Sequence, residues 1–384
     1  MSSQLPDELL DLVYGRIANP LSRVRFAAVC RAWRAVASWR PPPAPLPMLV
    51  LSTYDRAKTK DLYCLEDEGV LRVRLTVTPK GVARKWIVGS HQGGWVAMVS
   101  VVGPILILNL FSRAKVVLST EKRRIDPSHN SVDPSKVSKI IFSEEPTSET
   151  CILAAITHGC MAALCRVNWA KGWTVQACGT GILKDIAFFH GELYGLRLDY
   201  HEVRLLKFDI GAGANEPLLV TIIEAVVTQI LPYLLWEDDD YAHVHAIYIF
   251  EMGNKLTMAV KTGEYFFRLF ELVRLVVDVN THYRWEEMTS LHDYALFLGP
   301  TCSTAVEVCA EGRGGVQRNH IYYSNERYGH LPSHKRYLTK MADGRAVYYD
   351  DDELVCYDGK VIMSQGFYGE RGVQAAMWLV PPHV

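Results

Sequence analysis

The stretch DIAFFHGELYGLRLDYHEVRLLKFDI, from Asp185 to Ile210, decides the fold. It reads as a strand, the turn His190-Gly191-Glu192, a second strand ending in Tyr194-Gly195, a loop and a third strand. Short runs rich in aromatic and branched residues, bounded by Gly, Asp and His, carry the strand signal. The aromatics fall where one small sheet would pack on the next. A weaker echo, AVYYDDDELVCYDGKV, follows Gly344-Arg345.

Outward from this unit the same texture continues. MLVLSTY at 48, KIIFS at 139, CILAAIT at 151, HAIYIFEM at 245 and HIYYSN at 320 are separated by Gly, Pro, Asp and Asn. Many short strands at this spacing mean a sandwich, a barrel or, in a domain this long, a propeller. At roughly 40 to 50 residues per four-stranded blade, residues 48–384 hold about seven blades. The expected class is therefore mainly β with a small α module: a propeller of about six to eight blades after a helical N-terminus.

Residues 1–40 differ in period. LPDELLDLVYGRI from Leu5, a break at Asn19-Pro20, and LSRVRFAAVCRAWRAVASW to Trp39 carry apolar residues at helical spacing. Pro6 suits a first helical turn, and Asp7 and Glu8 complement the positive end of the dipole, so a helix is expected to start near Leu5. Leu9, Val13 and Ile17 follow at i+4 spacing, while Leu10, Leu12 and Tyr14 widen the stripe beyond what one short neighbour covers. About forty residues seldom bury enough surface to stand alone, so an exposed apolar face here reads as an interface. PPPAPLP at 41–47 is a stiff extended spacer and marks the boundary to the β-rich part.

These N-terminal residues resemble an F-box, the module by which substrate receptors attach to the Skp adaptor of cullin-RING ubiquitin ligases. The likeness rests on Leu5-Pro6, Asp7-Glu8, Leu9, Leu10, Ile17, Pro20-Leu21 and the string Val29-Cys30-Arg31-Ala32-Trp33-Arg34. Ala18 stands where Leu is common and Ser22 where Asp is common. The resemblance implies a three-helix module with an adaptor-binding set of Leu5, Pro6, Leu9, Ile17, Leu21, Val29, Cys30 and Trp33, shared with the module's own core. The segments HQGGWVAMVSVVGPILILNLFSRAKVVLS, DIAFFHGELYGL, SLHDYALFLGP and HIYYSN resemble the plant F-box-associated domain of unknown function, which has kelch-like propeller character. Relatives in that family are named as inhibitors of shaggy-like kinases. This second resemblance spans roughly Met48 to Pro382 and implies a plant protein.

Composition bounds the remaining classes. Hydrophobic residues make up 49% and charged residues 22%, values of an ordinary globular chain. The formal net charge is −1, and the N-terminal arginines are too few on too apolar a helix to argue for nucleic acid; a solvated edge or a rim around the docking face suits them. Nine cysteines show no CxxC pair and sit largely in apolar runs, the pattern of buried free thiols in a reducing compartment. No basic region followed by an apolar core precedes Leu5, so a cytoplasmic or nuclear location is expected. Trp95 to Phe111 is uncharged but is cut by Gly103-Pro104 into two strands, and Leu218 to Trp236 carries Glu224, Gln229 and Pro232. Neither reads as a membrane span.

Catalytic signatures are sparse. Phosphate loops, GxSxG and HExxH do not occur, and Gly211-Ala212-Gly213 reads as a turn. His243 and His245 would share one strand face but have no third ligand at metal spacing, and the acidic runs 237–240 and 350–353 read as solvated turns. No catalytic residue, metal or cofactor is expected. Loops at Tyr200-His201-Glu202, Glu326 to His330 and Phe367-Tyr368 are the candidates for a target-binding face, because turns cluster on propeller faces. The favoured function is a non-catalytic substrate receptor: the F-box binds the Skp-type adaptor, and through it cullin and the RING subunit, while the propeller holds a target protein. A stoichiometric protein-binding inhibitor with a weak or vestigial F-box is the alternative, and a propeller enzyme or glycan binder a third.

Overall fold

The computed structural model describes residues 5–17, 20–39, 45–51, 54–55, 59–65, 69–74, 85–100, 104–119, 125, 137–157, 161–168, 172–199, 202–211, 220–224, 244–262, 266–277, 280–309, 315–324, 336–340, 346–355, 361–369 and 377–382.

Three short helices come first: α1 Asp7–Arg16, α2 Pro20–Val29 and α3 Arg31–Ala37. The expected start near Leu5 moves to Asp7, because Pro6 is the cap and its carbonyl accepts the N–H groups of Leu9 and Leu10 at 3.0 and 3.1 Å. Pro20 both follows the end of α1 and opens α2, where its missing N–H is unneeded. Leu10, Tyr14, Phe26 and Val36 form a cluster of their own, with Ile17, Trp33 and Ala37 packed against it. Phe26 is its centre, 5.2 Å from the Tyr14 ring and 4.4 Å from the Trp33 ring. Arg23, expected on a solvated edge, is buried instead: its Nε donates to the Ile17 carbonyl at 2.5 Å and its guanidinium lies 5.5 Å from the Tyr14 ring. It closes the end of α1, where a carbonyl would otherwise lack a partner.

Among the described residues the remainder is mostly β-structure, in six sheets. Five are wholly antiparallel. The unit read first is one of them: Ile182–Phe189, Glu192–Asp199, Glu202–Ile210 and Val220–Glu224, in that order across the sheet. His190 and Gly191 make its two-residue turn, both at positive φ (50° and 78°), the geometry that matches strand twist. The second strand runs on to Asp199 rather than ending at Gly195, since Leu196 and Leu198 still find Leu205 and Val203 opposite.

Lys85–His91, Lys139–Phe142 and Val244–Met252 likewise begin antiparallel meanders. The fifth sheet is closed by the chain's far end: Met377–Leu379 pairs with Met48–Val50. Trp378 of that strand is fully buried, and its Nε1 donates to the Leu298 carbonyl at 3.1 Å. The sixth sheet departs from the pattern. Its order is Thr304–Glu307, Tyr294–Leu298, His320–Ser324, Val361–Gly369, Ala346–Val355, Arg336–Lys340, with parallel pairing on both sides of His320–Ser324. Against the expected six to eight blades stand these five regular blades and one mixed sheet.

Each sheet is apolar on both faces, because it is sandwiched between two neighbours. Alternate residues serve alternate neighbours. Leu193 enters the cluster shared with the sheet of Ile152–Thr157, while Tyr194 and Leu196 enter the cluster shared with the sheet of Lys255–Thr262. Six such clusters join the sheets pairwise into a closed ring, the arrangement of a β-propeller.

Several readings need correction. Asp350 to Glu353, expected as a turn, lie inside the strand Ala346–Val355, paired with Gly366 to Met363. Phe367, offered as a loop residue for target binding, is buried on Val361–Gly369 and packs at 5.3 Å from Trp378. Cys64, Cys151, Cys165 and Cys178 are buried, as expected, but Cys30 and Cys309 are exposed. Tyr200, His201, His243, Cys160, Cys356 and the segments 237–240 and 326–330 lie outside the described residues.

Candidate functional site

Two features stand apart from ordinary packing. The first is on the helices. Leu10 and Tyr14 of α1 face inward, and Ile17 one turn on packs against them. Leu5, Leu9, Leu12 and Val13 on the other side, with Val29 and Trp39, are 47–58% exposed. Of the sequence-derived adaptor set, Leu5, Pro6, Leu9, Val29 and Cys30 are therefore on the surface, whereas Ile17 and Trp33 belong to the module's core. The Leu21 side chain lies outside the described residues. Leu12 and Val13 are added to the exposed face, by their i+3 and i+4 spacing from Leu9. Isolated exposed leucines are commonplace, but three apolar side chains along one short helix, with Leu5 just before its cap, make a patch of the kind that marks an interface.

The second feature is on the propeller axis. Lys85–His91, Lys139–Phe142, Ile182–Phe189, Val244–Met252 and Thr304–Glu307 lie side by side as the innermost strands, and residues of all five line a half-open cavity of about 540 Å3. Such a volume is in the range of small-molecule sites. Ile141, Ile186 and Ile249 supply apolar wall, and Ser90, His91 and Thr301 supply polar groups.

Beside the cavity sits a buried ion pair. Lys139 Nζ donates to Asp185 Oδ1 at 2.5 Å, with side-chain exposures of only 4% and 3%. Asp185 also accepts the backbone N–H of Ile186 on Oδ1 at 2.8 Å and that of Ile249 on Oδ2 at 2.9 Å. One carboxylate thus ties three adjacent inner strands together. Burial pushes the Asp185 carboxyl above its ordinary range, against the opposing pull of Lys139 and the two amides. His91, also lining the cavity, is pushed down by burial, opposed by Glu145 and Glu144. Burial raises the Cys302 thiol, which disfavours the thiolate a nucleophile needs.

Among the described residues no three His, Cys, Asp or Glu side chains converge as a metal cluster. The sequence reading does not find the ion pair: Asp185 stands beside Lys184 in ILKDIAFF, and two adjacent charges in a strand do not say which of them is buried.

The family model described as KIB1-4 beta-propeller matches residues 62–358. No curated protein matches the sequence. Among solved structures, a quinonprotein alcohol dehydrogenase-like protein from Bacteroides thetaiotaomicron is 9% identical, with a TM-score of 0.39, covering 88% of this chain and 78% of that one. The WD40 domain of SCAP from fission yeast is 7% identical at a TM-score of 0.33, with 74% of each chain covered. The Bacteroides ovatus xyloglucan PUL GH43B is 10% identical at 0.29, covering 77% of this chain, which spans 56% of that protein's length. Likenesses this weak carry nothing further about the chain.

Proposed function

The chain belongs to the KIB1-4 beta-propeller family, and on that premise we propose that it is a protein-binding receptor whose helices dock on a Skp-type adaptor while the propeller holds a target for ubiquitin transfer. It performs no bond chemistry itself. Through the adaptor it joins a cullin and a RING subunit, in the cytoplasm or nucleus, and its contribution is proximity: a bimolecular transfer becomes effectively intramolecular.

The observation that supports this reading is the division of the helical module. Leu10, Tyr14, Phe26 and Val36 hold it together, whereas Leu5, Leu9, Leu12 and Val13 stand about half exposed outside that cluster among the described residues. A partner that covers them gives this apolar face a role.

The test uses the full chain with Leu9→Glu and Val13→Glu. Both positions are half exposed, so the melting temperature should stay within about 1 °C of wild type. Co-purification with the Skp-type adaptor should fall at least tenfold, because a buried unpaired carboxylate is costly at an interface. Adaptor recovery unchanged in both variants refutes the docking role. A rise in target level on loss of the protein supports ubiquitin transfer, whereas a change in target activity alone favours stoichiometric inhibition.

A further inference from the structure

The axial cavity carries an inference independent of the adaptor reading. Thr301 lines it and is only 8% exposed, yet among the described residues its hydroxyl has no hydrogen-bond partner. A buried hydroxyl left unpaired is destabilising, so such groups are rare unless a ligand or water completes them. Lys139 lines the same cavity; its ammonium has three N–H groups, and the hydrogen bond described for it uses one, to Asp185. Two polar groups with unfilled capacity thus line one half-open cavity together with three isoleucines.

We propose that the axial cavity is a binding site for an uncharged small molecule that joins a carbonyl or hydroxyl group to an apolar body. Lys139 donates to the ligand oxygen, Thr301 completes its hydroxyl on the same polar group, and Ile141, Ile186 and Ile249 cover the body.

Charge selects against anions. Lys139 is already neutralised by Asp185, and Glu251 stands exposed on the lining, so the cavity has no net positive charge to offer. His91 adds none, since burial favours its neutral ring. The Lys139 ammonium offers a ligand only N–H donors, which a carbonyl or hydroxyl oxygen accepts and an alkylammonium group, with no lone pair, does not.

The experiment is ligand-observed NMR titration of the full-length protein with benzamide and benzyl alcohol, against benzoate as the isosteric anion. Benzamide or benzyl alcohol should bind saturably in the millimolar range, and benzoate at least tenfold more weakly. Thr301→Val should weaken the neutral ligand about tenfold. Its melting temperature should not fall, because the lost hydroxyl makes no bond. Thr301→Ser, which keeps the hydroxyl, should restore binding and guards against a packing defect. Absence of saturable binding by both neutral probes overturns the proposal. So does benzoate binding as tightly as benzamide, or equal affinity in Thr301→Val and wild type.

Discussion

Replacing Lys139 by Met leaves the Asp185 carboxylate, only 3% exposed at its side chain, with two backbone amides and no counter-charge. Breaking one partner of a buried pair costs about 3–5 kcal/mol, because the remaining ion stays desolvated. A propeller of roughly 330 residues has an unfolding entropy near 0.7 kcal/mol/K, so the loss reads as about 4–7 °C in Tm at pH 7. Asp185→Asn should lose a similar amount, since it strands the ammonium and weakens one amide acceptor. The two differ in pH response. Burial already raises the Asp185 carboxyl, and removing Lys139 raises it further. A carboxyl whose folded pKa exceeds its unfolded value destabilises above that window and is relieved by protonation. The Lys139→Met deficit should therefore shrink as pH falls from 7 to 5. In Asp185→Asn no carboxyl remains at that position to titrate, so its deficit should not shrink over the same fall in pH. The double variant Lys139→Met/Asp185→Asn should lose about 1–3 kcal/mol less than the sum of the singles. Near-ultraviolet circular dichroism melts of the four proteins from pH 5 to 9 check this. Single-variant shifts below 2 °C, or parallel pH profiles, refute the account.

Two further outcomes follow from the inner strands. A Cβ added at Gly89 would sit 1.8 Å from the Ile140 carbonyl oxygen of the adjacent blade, so Gly89→Ala should unfold or grossly destabilise the propeller. Gly191→Ala, at φ 78° with open space around it, should cost only about 1–2 kcal/mol; equal melting losses in the two would contradict the blade contact. His91 is held neutral in the fold by burial, so unfolding takes up a proton below pH 6.5 and stability should decline with falling pH, by at most about 1.4 kcal/mol per unit. His91→Gln should remove that part of the slope in melts between pH 7 and 5; an unchanged slope assigns it elsewhere.

How far the chain could be read depends on the range of the interaction. The blade from Asp185 to Ile210 was legible because its turn chemistry and strand content are local: His190-Gly191 fixes a two-residue hairpin with Phe189 opposite Glu192. The closing pair Met48–Val50 with Met377–Leu379 and the parallel pairs around His320–Ser324 join segments far apart in sequence, and nothing local encodes them. The run from Asp350 to Glu353 misled for the complementary reason. Four consecutive acids look like a solvated turn, yet their backbone is paired residue for residue with Gly366 to Met363, a partner segment that no local signal reveals.

The helical module shows why a motif can be legible while its roles are not. In α1 two apolar stripes, Leu9-Val13 and Leu10-Tyr14, are one residue apart, which on a helix is a rotation of about 100°. Periodicity alone cannot rank them, since either would serve as a core face. The choice is made by Phe26 and Val36, which come from α2 and α3 and meet Leu10 and Tyr14. Arg23 adds a steric and polar constraint: with its Nε on the Ile17 carbonyl and its guanidinium near the Tyr14 ring, it holds the Tyr14 side of α1 inward. The Leu9-Val13 stripe is thereby left outside. The same logic applies on the propeller axis, where Lys139 and Asp185 are 46 positions apart and only the juxtaposition of two inner strands turns two isolated charges into a pair. In both places the sequence holds the residues, and the third dimension assigns which of them are structural and which are free to meet a partner.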